Sequence, residues 1–340
     1  MKIKYSKEID PKNTKPTNDE ALINFNNKLN DLANTIQSED LIEIKCCLVC
    51  QSKKLSKVFS SRNFDWMECR ECGHYQKKAM PSYNDLLKAY QKDTVENYLD
   101  EIGIDFRLEN IAIPKYNFIK DFIRKNNNKR WFDIASGLGD LPFYLKKEGW
   151  EVESTEIYEP FIKFAQDKLS INHHNLLLDS YFKMHRDKKM KNFDVVTALG
   201  YFDIIPNPLE HAKIVNNLLE DDGILAINQP MNDSVTGFMS KLFPDDSLRQ
   251  NNPMDYSVYC KNSIFKLFNL AGFEVVGVWY HGLDCYEMFS KLMQKKDKSS
   301  SQKNYDLLLN LFNEIQAVID KHELSDLLII CAKKVKHIKL

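Results

Sequence analysis

Residues 131–140 read WFDIASGLGD, an apolar run followed by a loop with two closely spaced glycines. The apolar run predicts a buried strand, and the residues after Gly139 predict the start of a helix. Gly137 and Gly139 allow the backbone to approach a ligand closely, and a helix N-terminus offers free N–H groups. A dinucleotide-binding loop has a third glycine near position 142, where this chain has Pro142, and no Lys-Ser or Lys-Thr pair of a P-loop follows. The stretch therefore predicts a ligand-binding turn between a strand and a helix.

The second strand of this region ends in an acid. Residues 150–156 read WEVESTE, so Glu156 follows Gly139 by 17 residues. A carboxylate at this place accepts hydrogen bonds from both hydroxyls of a ribose. Two glycines alone are weak support for a nucleotide site, but a strand, a glycine turn, a helix, a strand and a terminal acid in this order are much stronger.

Short apolar runs alternate with amphipathic helical segments from residue 130 onward, which is typical of a mostly parallel sheet covered by helices on both faces. Ligands of such sheets bind beyond the carboxyl ends of the strands. The fold class is therefore predicted to be α/β. The runs that predict strands are WFDIA (131–135), WEVESTE (150–156), NLLLD (175–179), FDVVTAL (193–199), GILAINQ (223–229), FEVVGVWY (273–280) and LLIICAKK (327–334).

Five of the eight cysteines lie in one short window ahead of this region, and four of them have the paired spacing of a zinc site: Cys47, Cys50, Cys69 and Cys72. Each pair spans a tight turn that directs two sulfurs at one ion, and two such turns complete a closed, structural site of four thiolates. Gly73 suits a turn that needs positive φ. Cys46 and His74 are possible substitutes without the paired spacing, and a redox pair is the alternative to zinc. Residues 57–69 alternate like a small hairpin, so the window predicts a zinc ribbon.

Composition limits the classes of function. The chain has 340 residues, 43% of them hydrophobic, which suggests about two domains and excludes a disordered protein. The net charge of −1 gives no general attraction to nucleic acid or anionic membranes. Residues 45–92 contain ten basic and four acidic residues, so the ribbon either contacts RNA or serves as a folding unit docked on the larger domain. The first 13 residues lack the apolar core of a signal peptide, and the longest apolar run is too short to span a membrane, so we expect a soluble, cytoplasmic protein.

The expected organisation has three parts. Residues 1–44 comprise a flexible tail (1–16) and a helix that begins with a capping box at Thr17–Glu20. The apolar stripe of this helix packs either on the chain itself or on a second copy, in a homodimer. The zinc ribbon covers residues 45–80. The larger domain covers residues 81–340, with a helical stretch at 84–125, a long lid segment at 231–258 and an insertion of two helices at 286–322. The stripe comprises Leu22, Phe25, Leu29, Leu32 and Ile36.

The chain resembles the class I S-adenosylmethionine-dependent methyltransferases in residues 131–160, 193–230 and 265–278, and the resemblance covers roughly residues 105–335. It implies a Rossmann-like domain with a seven-stranded sheet. The ribbon ahead of this domain is similar to that of a bacterial subgroup that includes C-methyltransferases of deoxysugar nucleotides.

The resemblance also implies roles for individual residues. The glycine loop would lie under the methionine and ribose, Glu156 would bind the ribose hydroxyls, Ile157 would pack on the adenine, and Asp179 would accept from its amine. Two departures from the family pattern are Ala135-Ser136 in place of Gly-Cys and Asp203-Ile204 in place of Glu-His. The complete set of expected cofactor-binding residues is Asp133, Ala135, Gly137, Gly139, Glu156, Ile157, Asp179, Leu199 and Gly200.

Methyl transfer from a sulfonium is a direct displacement, so alignment matters most, and a base is needed only where the acceptor loses a proton. The candidates are Tyr201 and Asp203 after the fourth predicted strand, and His281 and Asp284 after the sixth, with His281–Asp284 ranked first. Tyr256 and Tyr259 are weaker candidates, and His173 and His174 are given no role because they precede the third predicted strand.

The expected function is methyl transfer to a small or medium-sized acceptor, with a sugar or sugar nucleotide favoured by the resemblance. The alternatives are an RNA methyltransferase that uses the ribbon to bind RNA, which the near-neutral charge disfavours, and a non-catalytic scaffold that binds S-adenosylmethionine.

Overall fold

The structure, a computed structural model, describes residues 1–10, 19–92, 103–294 and 301–338. Its strands are β1 (Lys2–Tyr5), β2 (Ile42–Glu43), β3 (Leu55–Ser61), β4 (Phe64–Cys69), β5 (Tyr75–Lys77), β6 (Ala79–Met80), β7 (Arg130–Ile134), β8 (Glu151–Ser154), β9 (Phe193–Leu199), β10 (Leu219–Pro230), β11 (Ser257–Val258), β12 (Phe273–Tyr280) and β13 (Leu327–Lys334). Its α-helices are α1 (Asp19–Gln37), α2 (Tyr83–Lys92), α3 (Ile104–Arg107), α4 (Ile113–Ile119), α5 (Asp140–Lys147), α6 (Glu159–Leu169), α7 (Leu178–Asp187), α8 (Pro208–Leu218), α9 (Val235–Leu242), α10 (Lys261–Leu270), α11 (Asp284–Gln294), α12 (Ser301–Asn310) and α13 (Phe312–Lys321). A π-helical turn at Leu108–Ala112 joins α3 to α4, and 3-10 turns lie at Lys120–Phe122 and Pro244–Asp246.

A seven-stranded sheet in the order β1-β12-β13-β10-β9-β7-β8 forms the centre of the molecule. β13 is antiparallel to both of its neighbours, and every other pairing in the sheet is parallel. Six of the seven strands coincide with runs predicted from the sequence. The prediction of a mostly parallel α/β sheet is confirmed, but the seventh strand is not the expected one.

The third predicted strand, residues 175–179, is wrong. The chain makes one isolated bridge to the sheet, between His174 and Thr155, and then turns into α7 at Leu178. An apolar run of this length is ambiguous between a strand and the start of a buried helix. Here Leu178 is 2% exposed and packs in the core together with Tyr181 of the same helix, so the helical alternative buries the run.

The prediction of a flexible tail over residues 1–16 is wrong for its first part, because residues 2–5 form β1 at the edge of the sheet. Tyr5 lies opposite Tyr280 in register, and the Ser6 N–H donates to the Tyr280 carbonyl at 2.8 Å. The Lys4 ammonium lies 3.6 Å from the centre of the Trp279 ring. Thr17 and Asn18 of the predicted capping box lie outside the described residues.

Helices cover both faces of the sheet, as the alternating pattern predicts. One face packs against α7, α8 and α10. The other packs against the helical run from α3 to α4 and against α5, with Trp131 and Trp279 at its centre. The predicted helical stretch at 84–125 corresponds to α2 and to this run, and residues 93–102 between them lie outside the described part of the chain.

The cysteine window folds into a second sheet in the order β11-β5-β4-β3. Its β3–β4 hairpin is the one that the alternating pattern predicts. β11 comes from the segment 231–258, so that this segment is paired to the cysteine-rich sheet in place of forming a free lid.

The stripe on α1 is mostly covered by the chain itself. Leu22 packs in a cluster with α11, α12 and α13, whereas Ala33 and Ile36 pack against Phe64 and Met80 of the cysteine-rich sheet and its flank. Leu22 and Ile36 are both fully buried. Most of the stripe is therefore covered within the chain, whereas Phe25 at 36% exposure remains accessible, and a homodimer through this helix stays a prediction.

The insertion before the last strand contains three helices, α11, α12 and α13, where two were predicted. Leu283, Phe289 and Phe312 form the centre of their packing. Within the described ranges, no helix is both long enough and apolar enough to cross a membrane.

Candidate functional site

A pocket of about 760 Å³, including its open part, lies at the carboxyl ends of β7, β8 and β9. The glycine loop and the end of β8 form one side, and α2 covers it from the other. The lining residues are Tyr83, Leu86, Leu87, Tyr90, Ile134, Ala135, Gly137, Thr155, Glu156, Ile157, Leu176, Leu177, Leu178, Gly200, Tyr201, Ile204 and Met254. This lining is mostly apolar and includes one carboxylate, a composition suited to a small organic ligand.

The two glycines of the loop have different surroundings. A Cβ placed on Gly137 (φ 59°) would meet no atom within 4 Å, because this residue faces the pocket. A Cβ on Gly139 (φ 82°) would lie 3.2 Å from both Ala165 and His173. Gly139 therefore allows the loop to pack closely on its support, and it is absent from the pocket lining, so its contact with the ligand stays a prediction. Ala135 also has a left-handed conformation, with φ of 50°.

Glu156 lies at the floor of the pocket and is 4% exposed. Its Oε2 accepts from the Gly137 N–H at 2.8 Å, and its Oε1 accepts from the N–H groups of Ile157 and Tyr158 at 2.8 and 2.9 Å. Burial raises the pKa of this carboxyl, and the three N–H groups oppose that rise. The carboxylate therefore ties the glycine loop to the end of β8 and still has one acceptor position, on Oε2, for a ligand.

Asp133 is buried beneath the loop and does not line the pocket. Its Oδ2 accepts from the Ser136 hydroxyl at 2.5 Å, and its Oδ1 accepts from the Thr197 hydroxyl at 2.5 Å. Burial raises its pKa to about 6. The side chain connects β7, β9 and the loop, so its main role is to hold the loop in position.

Asp179 does not lie where a third strand would have placed it. It is in the first turn of α7, its side chain is 60% exposed, and its Oδ2 is 3.5 Å from Nε2 of His211. Asp179 does not line the pocket itself but follows the lining residue Leu178, so its contact with an adenine stays a prediction. Leu199 packs beside the core of the other sheet face and does not line the pocket, whereas Gly200 and Ile157 do line it.

Tyr201 lines the pocket, but its hydroxyl is hydrogen-bonded to Nδ1 of His211 at 2.7 Å. Burial raises its pKa well above the ordinary value, so the phenol stays protonated. The hydroxyls of Tyr256 and Tyr259 donate to the carbonyls of Pro81 and Phe202. These tyrosines contribute to packing and to local hydrogen bonding.

Asp284, ranked first together with His281, is fully buried and bonded on both oxygens. Oδ1 accepts from the Thr236 N–H at 2.9 Å, and Oδ2 accepts from the Asp326 N–H at 2.9 Å and from Gln316 Nε2 at 3.0 Å. Asp284 also does not line the pocket, so nothing in the geometry supports a role as a base. The carboxylate joins α9, α13 and the approach to β13 because it receives one hydrogen bond from each.

Asp203 and His281 each keep one buried side-chain atom without a hydrogen-bond partner in the described chain, Oδ1 and Nε2 respectively. Burial raises the pKa of Asp203 to about 6 and lowers that of His281 well below its ordinary value. Both atoms are buried, and neither residue lines the pocket, although Asp203 lies between the lining residues Tyr201 and Ile204.

The four cysteine sulfurs of the predicted quartet, Cys47, Cys50, Cys69 and Cys72, lie within 4.8 Å of one another. The Cys47–Cys72 and Cys50–Cys69 sulfurs are 3.6 and 3.5 Å apart. A tetrahedral zinc ion with bonds of about 2.3 Å separates its sulfurs by about 3.8 Å. The donor set and its spacing therefore fit one zinc ion.

The two alternative ligands lie outside this group of sulfurs. The Cys46 thiol donates to Oε1 of Gln51, and the His74 ring packs on Tyr259 with ring centres 4.7 Å apart. Gly73 has φ of 72°, the left-handed conformation expected after the second cysteine pair.

Sequence reasoning missed the contribution of α2, which brings Tyr83, Leu86, Leu87 and Tyr90 to the pocket. The sequence predicts a helix at this place, but it does not indicate that the helix covers the pocket. His173, which was given no role, packs under the glycine loop, with Nδ1 2.8 Å from the Ser154 hydroxyl. The isolated bridge between His174 and Thr155 brings His173 to this position, and it forms at the place where the sequence predicted a strand.

These features define a Rossmann-like α/β domain with a mostly apolar pocket at the carboxyl ends of its strands, preceded by a four-cysteine module. The protein-family model described as "Methyltransferase domain" matches residues 109–278, which is half of the 340-residue chain. The chain therefore belongs to the methyltransferase domain family, and its fold is the Rossmann-like methyltransferase fold.

Among curated proteins, the chain is similar to a ubiquinone biosynthesis O-methyltransferase of Glaesserella parasuis serovar 5 (strain SH0165), with 25% identity over 130 residues. The match covers 36% of this chain and 55% of the relative, so the chain spans about half the length of the curated relative.

Two solved structures are similar at low identity. A SAM-dependent methyltransferase from Archaeoglobus fulgidus has a TM-score of 0.48 and 18% identity, and the alignment covers 71% of this chain and 100% of that one. A possible histamine N-methyltransferase from Thermotoga maritima has a TM-score of 0.45 and 16% identity, and the alignment covers 70% of this chain and 97% of that one.

Proposed function

We propose that this protein transfers a methyl group from S-adenosylmethionine to a small or medium-sized acceptor. The observation that carries the proposal is the pocket itself, in which a buried carboxylate, Glu156, lies beside the pocket-facing Gly137 in a member of the methyltransferase domain family. The apolar lining around them suits an adenine, and the carboxylate suits the hydroxyls of a ribose.

In this arrangement Glu156 accepts from the ribose, because it lines the pocket and keeps one acceptor position on Oε2 while its other three positions hold the loop. Ile157 and the leucines at 176–178 enclose the adenine. Ala135, Gly137 and Gly200 leave room for the methionine chain, and Asp133 acts from below by fixing the loop. Bound S-adenosylmethionine supplies an activated methyl on a sulfonium.

The chemical step breaks the bond between this methyl and sulfur and forms one between the methyl and a nucleophilic acceptor atom, with S-adenosylhomocysteine as the second product. The protein aligns the two reactants and excludes water. Where the acceptor atom carries a proton, Asp203 is the proposed base, because its Oδ1 is unpaired in the described chain and its pKa lies near 6.

The zinc ribbon at residues 45–80 is part of the proposal. The thiolates of Cys47, Cys50, Cys69 and Cys72 would hold one Zn²⁺, with no ligand position left open for catalysis. Within the larger domain, 81–340, the acceptor enters between α2 and the segment 231–258. A sugar or sugar nucleotide, in a cytoplasmic pathway to a bacterial polysaccharide or secondary metabolite, is the proposed acceptor, on the sequence resemblance to deoxysugar C-methyltransferases.

Titration calorimetry of the full chain with S-adenosylmethionine and S-adenosylhomocysteine tests the cofactor claim. We expect both to bind, and Glu156→Ala to weaken both by about tenfold or more, since hydrogen bonds to a charged group contribute about 1.5–3 kcal/mol. Glu151→Ala is the matched control, because Glu151 lies on the same strand with a side chain that is 67% exposed. Folded wild-type protein that binds neither molecule would refute the proposal, and equal affinity in Glu156→Ala would refute the ribose assignment.

A further inference from the structure

Lys7 and His281 lie together at the carboxyl edge of the central sheet, outside the pocket described above. β1 pairs with β12 up to Tyr5 and Tyr280, so the residues that follow both strands continue side by side. The Ser6 N–H donates to the Tyr280 carbonyl at 2.8 Å, and Trp279 Nε1 donates to the Ser6 carbonyl at 2.9 Å. Lys7 is thereby held next to His281.

Lys115 reaches the same place from the helical layer. Phe122 lies against Gly277, and Phe118 packs on Trp279 with ring centres 5.6 Å apart, so the helix runs antiparallel to β12. Lys115 is about one turn before Phe118, which places it beside His281, two residues after Trp279. The Lys7 ammonium donates to the carbonyl of Asn110 on this same helical run.

The basic cluster (Lys7, Lys115 and His281) carries its positive charge on the two ammonium groups, because burial keeps the His281 ring neutral. Within the described part of the chain, no carboxylate oxygen lies within 4 Å of either ammonium. Asp133 and Asp140 are the carboxylates whose charge acts on Lys115. Asp140 is paired with Arg107 at 2.8 Å, and Asp133 is bonded to two hydroxyls.

Both lysines are half-buried, and the charge of Lys7 repels that of Lys115, while Lys7 is itself repelled by Lys4. Burial lowers the pKa of Lys7 and of Lys115 to about 8, and the charge of Lys7 adds to the effect on Lys115. Buried cations that repel one another are stable when an anion joins them. His281, which is 6% exposed, adds an Nε2 without a partner in the described chain.

We propose that the basic cluster binds an anionic group, a carboxylate or a phosphate, of the methyl acceptor. The inference rests on the proposed methyl transfer and narrows the acceptor to an anionic molecule. The cluster follows the carboxyl ends of β1 and β12, at the same edge of the sheet as the glycine loop and the pocket, so an anion bound here places the acceptor on the side of the sheet where the methyl donor is proposed to bind.

The test uses the full chain saturated with S-adenosylhomocysteine and titrated calorimetrically with inorganic pyrophosphate. We expect millimolar or tighter binding that weakens as salt is added. Lys7→Met and Lys115→Met should each weaken it by tenfold or more. Lys120→Met is the matched control, because Lys120 lies on the same helical run, is exposed and bonds only locally to Asn117. Circular dichroism confirms that each variant is folded.

Three results overturn the inference: no pyrophosphate binding at 10 mM, equal loss in Lys120→Met, or loss of S-adenosylhomocysteine affinity in Lys7→Met. The last result assigns the cluster to the carboxylate of the cofactor. Failure of the proposed methyl transfer is recognised separately, because the wild-type chain then does not bind S-adenosylhomocysteine in the first titration.

Discussion

Ala135 adopts a backbone conformation that is unfavourable for an alanine. It has φ of 50°, a left-handed conformation that costs an alanine about 1–2 kcal/mol relative to the right-handed region. Its N–H points to the Thr155 hydroxyl at 3.4 Å, and the next N–H, of Ser136, donates to the Thr155 carbonyl at 2.8 Å. The attachment of the loop to β8 therefore holds Ala135 in this conformation.

We expect Ala135→Gly to raise the free energy of unfolding by about 1 kcal/mol, because glycine adopts this conformation without strain. Urea denaturation of the two proteins at neutral pH measures the difference. Ala317→Gly is the control, since Ala317 lies inside α13 and glycine there should lower stability by about 1 kcal/mol. A less stable Ala135→Gly protein would show that the strain is absent.

Asp133 predicts a dependence of stability on pH. Its ordinary pKa of 3.8 rises to about 6 in the folded protein, mainly by burial. The folded state therefore holds the proton more tightly than the unfolded chain. The stability contributed by the protonated group is complete below about pH 4 and is lost as the pH rises to about 6.

Asp133→Asn removes this titration and keeps the shape of the side chain. Between pH 4 and pH 6, we expect the wild type to lose about 1–3 kcal/mol of stability relative to Asp133→Asn. Urea denaturation of both ligand-free proteins at several pH values measures this difference. The contributions of the other titrating groups cancel because both proteins contain them. A difference that stays constant with pH would contradict the raised pKa.

At the scale of elements, the packing of α4 and the turn after it on β12 determines where the basic cluster forms. Gly277 allows this contact, because a Cβ there would overlap the Phe122 ring. Phe122 has a half-buried side chain, so part of the overlap can be relieved by movement.

Gly277→Ala should therefore lower the free energy of unfolding by about 1–3 kcal/mol, the usual cost of overpacking. Phe122→Leu in the same protein should recover part of this loss, and a double-mutant cycle measures the coupling. Gly103→Ala is the control, because a Cβ there meets nothing within 4 Å and φ is negative. Independent effects of the two substitutions would contradict the contact.

Most of the sheet could be predicted from the sequence because five strands are mostly apolar runs of five residues or more, bounded by loops, and β8 follows the first strand, the glycine turn and a helix in the expected order. β1 could not, since KIKY is only four residues long and half of them are lysines. It forms a strand because β12 would otherwise be the edge of the sheet and its backbone groups are available for pairing. This edge exists only in the folded protein and cannot be read from residues 2–5. The run at 175–179 was misassigned because leucines suit a helix that covers the pocket as well as they suit a strand.

For the site, local motifs were enough for the glycine loop, Glu156 and the four cysteines, because each depends on neighbours in the chain. The catalytic candidates depended on tertiary contacts instead. Asp284 follows a strand end as predicted. Its carboxylate, however, accepts hydrogen bonds from Thr236, Gln316 and Asp326, which come from distant parts of the chain. No spacing in the sequence indicates these partners.

At the scale of the whole molecule, the cysteine-rich sheet holds the segment that follows β10 against the larger domain. Lys77 Nζ donates to the carbonyls of Asn252 and Pro253 at 3.0 and 2.6 Å, and Arg62 donates to the Ser247 carbonyl at 2.9 Å. Asn262 Nδ2 donates to the Cys72 carbonyl at 3.1 Å. Since α2 follows this sheet directly and Met254 lies in the held segment, the metal module supports two walls of the pocket.

Loss of the proposed zinc should therefore weaken cofactor binding from a distance. We expect Cys47→Ser to lose the metal, to increase amide hydrogen exchange in residues 247–262, and to bind S-adenosylhomocysteine about tenfold more weakly, equivalent to about 1.4 kcal/mol. Cys46→Ser is the matched control, because its sulfur bonds to Gln51 and lies outside the quartet. Elemental analysis, hydrogen exchange and calorimetry measure the three effects on each protein. A metal-free Cys47→Ser protein with wild-type cofactor affinity would show that the module folds separately from the pocket, and zinc loss in Cys46→Ser would show that the quartet is misassigned.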